Sequence, residues 1–133
     1  MAISSNQGGY SILIFWVKNM GRLTNKKLIS MLFPVLKKAI KDIPELDEKD
    51  YYGHPAKWTT IDGFQVVYIQ REEILTVSVT KHLTGKYDHA TVSAIIKNGG
   101  VVSYGYSKEF TGLGNGFYAD LDENGNIIKS EWD

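Results

Sequence analysis

Ile74-Leu-Thr-Val-Ser-Val-Thr-Lys-His-Leu-Thr-Gly-Lys-Tyr-Asp-His-Ala-Thr-Val-Ser-Ala-Ile-Ile-Lys97 is the stretch that decides the fold. Apolar and polar residues alternate with a period of two on both sides of Thr84-Gly85-Lys86-Tyr87, the pattern of two half-buried strands joined by a tight turn. Glycine at the first central position favours a type II′ turn. Pairing then runs Leu83 with Asp88, His82 with His89, Thr80 with Thr91 and Ser78 with Ser93 on one face. The other face pairs Val79 with Val92, Val77 with Ala94 and Leu75 with Ile96. One face is wholly apolar, and the other carries hydroxyls and two histidines. A slip of one residue would mix the two, so the pattern specifies this register.

The same alternation extends outward. Upstream, a turn at Arg71-Glu72 pairs Tyr68 with Leu75 and Val66 with Val77, and Asp62-Gly63 reads as a further tight turn before Phe64. Downstream, Asn98-Gly99-Gly100 returns the chain into residues 101–107, with a bulged glycine that places Val102, Tyr104 and Tyr106 on the apolar face. The segment 110–116, Phe-Thr-Gly-Leu-Gly-Asn-Gly, has glycines like those of a phosphate loop. It leads into a strand rather than a helix, so it reads as a surface loop.

The front of the chain is different. Residues 10–17 (Tyr-Ser-Ile-Leu-Ile-Phe-Trp-Val) read as a buried strand and residues 18–22 as a turn. Thr24 or Asn25 can cap a helix whose apolar stripe is Leu28, Leu32, Val35, Leu36, Ala39, Ile40 and Ile43. Pro34 removes a backbone donor inside it, which predicts a kink or two short helices, and Pro44 ends the segment. Lys18, Arg22, Lys26, Lys27, Lys37, Lys38 and Lys41 lie on or beside this helix, followed by Asp42, Glu45, Asp47, Glu48 and Asp50. Such a charge run solvates a face or meets a partner of opposite charge.

Together these readings predict a single α+β domain over residues 1–133: one kinked helix packed on one face of an antiparallel β-meander of six or seven strands. A strand, a long helix and then a wrapping meander resembles the cystatin-like arrangement. Gly8-Gly9 and Gln65-Val66-Val67 are similar to the glycine and Gln-Val-Val elements of that family.

Bulk properties narrow the function. The 133 residues carry a formal net charge of +0 and no cysteine. The charge balance gives no electrostatic case for nucleic acid or an anionic membrane, and the missing thiols exclude disulfides and thiolate chemistry. No signal-peptide pattern or membrane-length apolar run is present, so a cytoplasmic protein without cofactors is expected.

Two constellations could carry chemistry. Asp120-Leu-Asp-Glu-Asn-Gly-Asn-Ile-Ile-Lys-Ser-Glu131 has the spacing of an EF-hand loop, with Asp120, Asp122, Asn124 and Glu131 as candidate ligands of calcium. The same residues read as a hairpin closed by Asn124-Gly125, pairing Leu121 with Ile128, Ala119 with Ser130 and Phe117 with Trp132. The hairpin reading is preferred, because neither an entering nor an exiting helix flanks the loop. The second constellation is His82-Leu-Thr84 with His89-Ala-Thr91, which resembles the His-x-Thr/Ser elements of the two-histidine phosphoesterases. That resemblance implies His82 and His89 as base and acid on a phosphodiester, with Lys81 or Lys86 stabilising the developing charge.

The aromatics Tyr51, Tyr52, Trp58, Tyr87, Tyr104, Tyr106, Phe110, Phe117, Tyr118 and Trp132 are read chiefly as core, although Tyr and Trp also anchor interfaces. The overall expectation is a small soluble binding protein acting through a protein partner, of the inhibitor or immunity type. The alternative is a metal-independent, RNase-like phosphodiesterase built on His82 and His89.

Overall fold

The computed structural model describes residues 24–83, 88–110 and 115–132. The expected strand 10–17, the expected turn 18–22 with Lys18 and Arg22, the expected hairpin turn 84–87, and residues 111–114 of the expected loop 110–116 lie outside the described residues. One helix, α1 (Asn25–Lys41), precedes eight strands: β1 (Glu48–Lys49), β2 (Pro55–Ile61), β3 (Phe64–Arg71), β4 (Ile74–His82), β5 (Asp88–Lys97), β6 (Gly100–Phe110), β7 (Asn115–Leu121) and β8 (Ile127–Trp132). They form one sheet in sequence order with every neighbour antiparallel, so the chain is α+β with a pure meander. The eight strands among the described residues exceed the expected six or seven. The added strand is β1, whose two residues are too few to show any periodicity.

The β4–β5 register is the expected one throughout, from Leu75 opposite Ile96 to His82 opposite His89. The β3–β4 register differs from expectation by two residues: Tyr68 pairs with Val77 and Val66 with Val79. The turn is centred on Glu72-Glu73, with Glu72 at a φ of +54°. A two-residue shift leaves every side chain on its expected face, because strand side chains alternate with a period of two.

A second correction concerns β5–β6. Asn98 and Gly99 alone make the turn, both at positive φ, so Val101 sits opposite Ile96. The register then shifts, with Ile95 opposite Ser103, which leaves Val102 61% exposed and returns Tyr104 and Tyr106 to the inner face. The bulge expected at the turn therefore lies two residues further on.

The inner face packs on α1. A continuous cross-strand row, Val66, Val79, Val92, Tyr106 and Ala119, is buried, and the helix crosses β3, β4 and β5. Thr24 caps α1, its Oγ1 accepting from the Lys27 amide at 3.1 Å. The buried stripe is Leu28, Ile29, Leu32, Phe33, Val35, Leu36 and Ala39, wider than the expected one by Ile29 and Phe33. Leu28, Leu32 and Leu36 are fully buried, each contributing about 1.5–3 kcal/mol of transfer free energy.

The helix is one element through Pro34 rather than two short ones. Ser30 and Pro34 both lie on the exposed side, where water can take the carbonyl that proline leaves unpaired. It ends at Lys41, three residues before Pro44, so Ile43 falls outside the stripe and is 44% exposed. Tyr68 donates to the Ala39 carbonyl at 2.7 Å, satisfying one of the orphan acceptors of the last helical turn. At the other end Tyr106 donates to Asn25 Oδ1 at 2.7 Å, and burial pushes its phenol pKa well up.

Candidate functional site

The sheet brings two sets of sequence candidates into view, and the structure treats each differently. The EF-hand-like segment is the β7–β8 hairpin. Phe117 pairs with Trp132 and Ala119 with Ser130 as expected, but an irregularity at Asp120/Leu121 sets Leu121 opposite Ile127 instead of Ile128. Asp122 then closes the loop: its N–H donates to the Asn126 carbonyl at 2.9 Å, and the Gly125 N–H donates to the Asp122 carbonyl at 3.0 Å. Its Oδ1 accepts from the amides of Asn124 at 2.9 Å and Asn126 at 2.8 Å. Those amides, that of Asn126 foremost, outweigh desolvation and hold the Asp122 carboxyl below the usual carboxylate range.

The four candidate calcium ligands take different places along the β7–β8 hairpin. Asp120 sits in β7 on the face away from the helix, opposite Lys129. Asp122 is engaged by its own loop, Asn124 donates its backbone to it, and Glu131 lies in β8 opposite Tyr118. Among the described residues no group of three or more His, Asp or Glu stands close enough to hold a metal ion.

The β1–β2 connection, Asp50-Tyr-Tyr-Gly-His54, repeats the same wiring. The Asp50 N–H donates to the His54 carbonyl at 2.9 Å and the Gly53 N–H to the Asp50 carbonyl at 3.0 Å. Asp50 Oδ1 accepts from the amides of Tyr52 at 2.9 Å and His54 at 2.8 Å. In each turn the fifth side chain returns to the carboxylate: His54 Nδ1 lies 2.9 Å from Asp50 Oδ2, and Asn126 Nδ2 donates to Asp122 Oδ2 at 3.3 Å. The fourth residue is a glycine in the left-handed region, at φ +88° for Gly53 and +86° for Gly125.

Asp50 is the more enclosed of the two aspartates, its side chain 8% exposed with Arg71 Nη2 3.9 Å away. Desolvation pushes its carboxyl up, but the hydrogen bonds from the His54 amide, the His54 ring and the Tyr52 amide together prevail and leave it lowered.

The two turns differ in what they display. The second carries Glu123 and Asn124 at its two central positions, ordinary solvated residues. The first carries Tyr51 and Tyr52, which are 93% and 77% exposed, with their rings edge to face at 5.0 Å and 84°. Tyr52 also stands 6.3 Å from the His54 ring. The core reading of these two tyrosines is therefore corrected: they are a presented pair. Asp-x-x-Gly recurring between strand segments is the signal that could have revealed the turn.

The histidine candidates fall at the other end of the sheet. His82 and His89 face each other across β4–β5, ring centroids 6.4 Å apart, on the face away from the helix. Glu109 of β6 is the register partner of His89 and shares that face. Thr80 and Thr91, one step inward, hydrogen-bond through their hydroxyls at 3.0 Å. Lys81 is not brought to the pair. It projects to the helix side, where its ammonium sits 5.9 Å from the centroid of the Phe64 ring. Lys86 lies outside the described residues.

No helix among the described residues is long and apolar enough to cross a membrane. Comparison of the chain with protein-family models, with curated proteins and with solved structures found no match.

Proposed function

We propose that this chain is a non-catalytic binding domain that grips a protein partner through Tyr51 and Tyr52. The carrying observation is the contrast between two turns of identical wiring. One displays Glu123 and Asn124, as water favours, and the other displays two large aromatic rings. The turn itself does not require aromatics, so the pair stands as a binding feature held on a rigid mount. Tyrosine supplies broad amphipathic contact at low entropic cost, and Asp50, Gly53 and His54 pre-organise the loop that carries it. A cytoplasmic inhibitor or immunity-type protein of this size fits the reading.

Truncating either ring at such an anchor costs about 2 kcal/mol of binding, roughly a 30-fold loss of affinity. Affinity capture from the native host, followed by titration of the captured protein against Tyr51→Ser and Tyr52→Ser, measures this. Affinity unchanged in both variants would end the proposal.

A second reading has one observation in its favour. The opposed imidazoles of His82 and His89, with Glu109 beside them, form an acid–base array of the kind an RNase-like phosphodiesterase needs. Of the two lysines expected to serve it, Lys81 lies on the opposite face, and Lys86 is outside the described residues. Cleavage of RNA or cyclic nucleotides that is lost in His82→Ala or His89→Ala would establish it, and no turnover by the wild type would remove it.

The order of helix and meander supports a cystatin-like arrangement only coarsely. Gln65-Val66-Val67 lies within β3, not at a hairpin tip, so protease inhibition through that segment gains no support.

A further inference from the structure

Gly105 lies in the middle of β6, and the fold gives no reason for a glycine there. Its φ is not in the left-handed region, and a Cβ built on it would meet only the Ala119 carbonyl oxygen and Ser93 Oγ, both at an ordinary 3.7 Å. Glycine inside a strand weakens it, by roughly 0.5–1 kcal/mol against alanine, and such positions mark sites where another molecule approaches the backbone. Gly116 makes the contrast plain. A Cβ there would stand 2.9 Å from the tip of the Tyr118 ring, so that glycine has a steric neighbour the ring would have to move away from, whereas Gly105 has none.

The consequence of Gly105 is a depression of about 360 Å³ on the sheet face away from the helix. Its floor is the backbone of β6 and β7, and Ser93, Ser107, Tyr118, Asp120 and Lys129 line it. These residues follow from the register. Ser93, Gly105, Asp120 and Lys129 form one cross-strand row, and Ser107 and Tyr118 are paired in the next. Asp120 and Lys129 are direct neighbours and both exposed, yet no ion pair joins them among the described residues. The lining therefore offers a carboxylate, an ammonium and two hydroxyls, with a phenol ring alongside.

We propose that this depression binds a sugar or sugar-like polyol. A carboxylate accepts from neighbouring hydroxyls of one ligand, an ammonium donates to a ring or hydroxyl oxygen, and serine hydroxyls do either, so the set matches a ligand that alternates donors and acceptors. The size is at the low end of small-molecule sites, suited to one or two pyranose rings.

The test is a titration of the full chain, followed by amide NMR, with glucose, galactose, N-acetylglucosamine and glucuronate. Saturable shifts confined to the amides around Ser93, Gly105, Ser107, Asp120 and Lys129 are expected for at least one of the four. Gly105→Val fills the depression and is expected to keep or raise the melting temperature while abolishing those shifts. Asp120→Ala, which adds no bulk, is expected to weaken binding at least tenfold. Two results would overturn the assignment: no saturable shift with any of the four sugars, or shifts that persist unchanged in Gly105→Val.

Discussion

The two Asp-x-x-Gly turns allow one substitution to be made twice in the same wiring. Gly53→Ala and Gly125→Ala each force a β-carbon onto a left-handed backbone, at φ +88° and +86°. That strain is about 1–2 kcal/mol, partly offset by about 0.4–1 kcal/mol from the stiffer unfolded chain, for a net loss near 1 kcal/mol. Around Gly53 nothing lies within 4 Å of the new Cβ, so the loss stops there. At Gly125 the Cβ would stand 2.9 Å from Phe33 Cδ2 and 3.0 Å from Cγ. Phe33 cannot simply swing aside: it is 6% exposed, and its ring meets Tyr104 at 5.2 Å. Overpacking of this kind adds about 1–3 kcal/mol.

Thermal and urea unfolding of both variants measures the gap. With about 3–4 °C per kcal/mol for a chain of this length, Gly53→Ala lowers the melting temperature by about 3–4 °C and Gly125→Ala by about 6–16 °C. Phe33→Leu combined with Gly125→Ala recovers part of the difference, because the smaller side chain can yield. Equal losses at the two glycines would refute the reasoning, since it would mean that the β7–β8 turn does not rest on the helix.

Three further outcomes are expected. Tyr68→Phe leaves the Ala39 carbonyl buried without its 2.7 Å donor and lowers stability by about 1–3 kcal/mol in urea unfolding. Asp50 and Asp122 both have lowered folded pKa values, so the order they confer is fully present above the unfolded value of about 3.9 and is lost as pH falls through their lower folded values. Amide exchange at Tyr52, His54, Asn124 and Asn126 should therefore keep its protection factors from pH 7 to 5 and lose them only below about pH 4. Millimolar calcium leaves the melting temperature unchanged, because Asp122 is already satisfied by its own loop; a rise in differential scanning calorimetry would reinstate the ligand reading.

How much of this was legible depends on the residues concerned. The β4–β5 hairpin was readable because Leu75, Val77 and Val79 alternate strictly with hydroxyls, and only one register keeps the faces apart. Gln70 to Glu73 carries no glycine, asparagine or proline, and the left-handed residue is Glu72, so the turn could be placed only to within two residues. Asn98-Gly99 was legible as a turn, but the bulge at Val102 answers to packing of Tyr104 and Tyr106, which periodicity does not encode.

The sites were harder to read. Asp120 to Glu131 has loop spacing and hairpin spacing at once, and only the hydrogen bonds of Asp122 separate the two. Tyr51 and Tyr52 look like core residues in composition; their exposure follows from the locked turn at Asp50, whose β1 strand is too short to announce itself. Gly105 is invisible in sequence among 13 glycines, because its meaning lies in the absence of any steric need.

The most direct test of the binding claim is affinity capture from the native host with three baits: wild type, Tyr51→Ser/Tyr52→Ser, and Glu123→Ser/Asn124→Ser. The third changes the matching positions of the twin turn and serves as the control. A protein retained in stoichiometric yield by wild type and control, and lost by the double tyrosine variant, is the predicted result. Equal retention by all three baits, or no stoichiometric partner with any of them, would contradict the account.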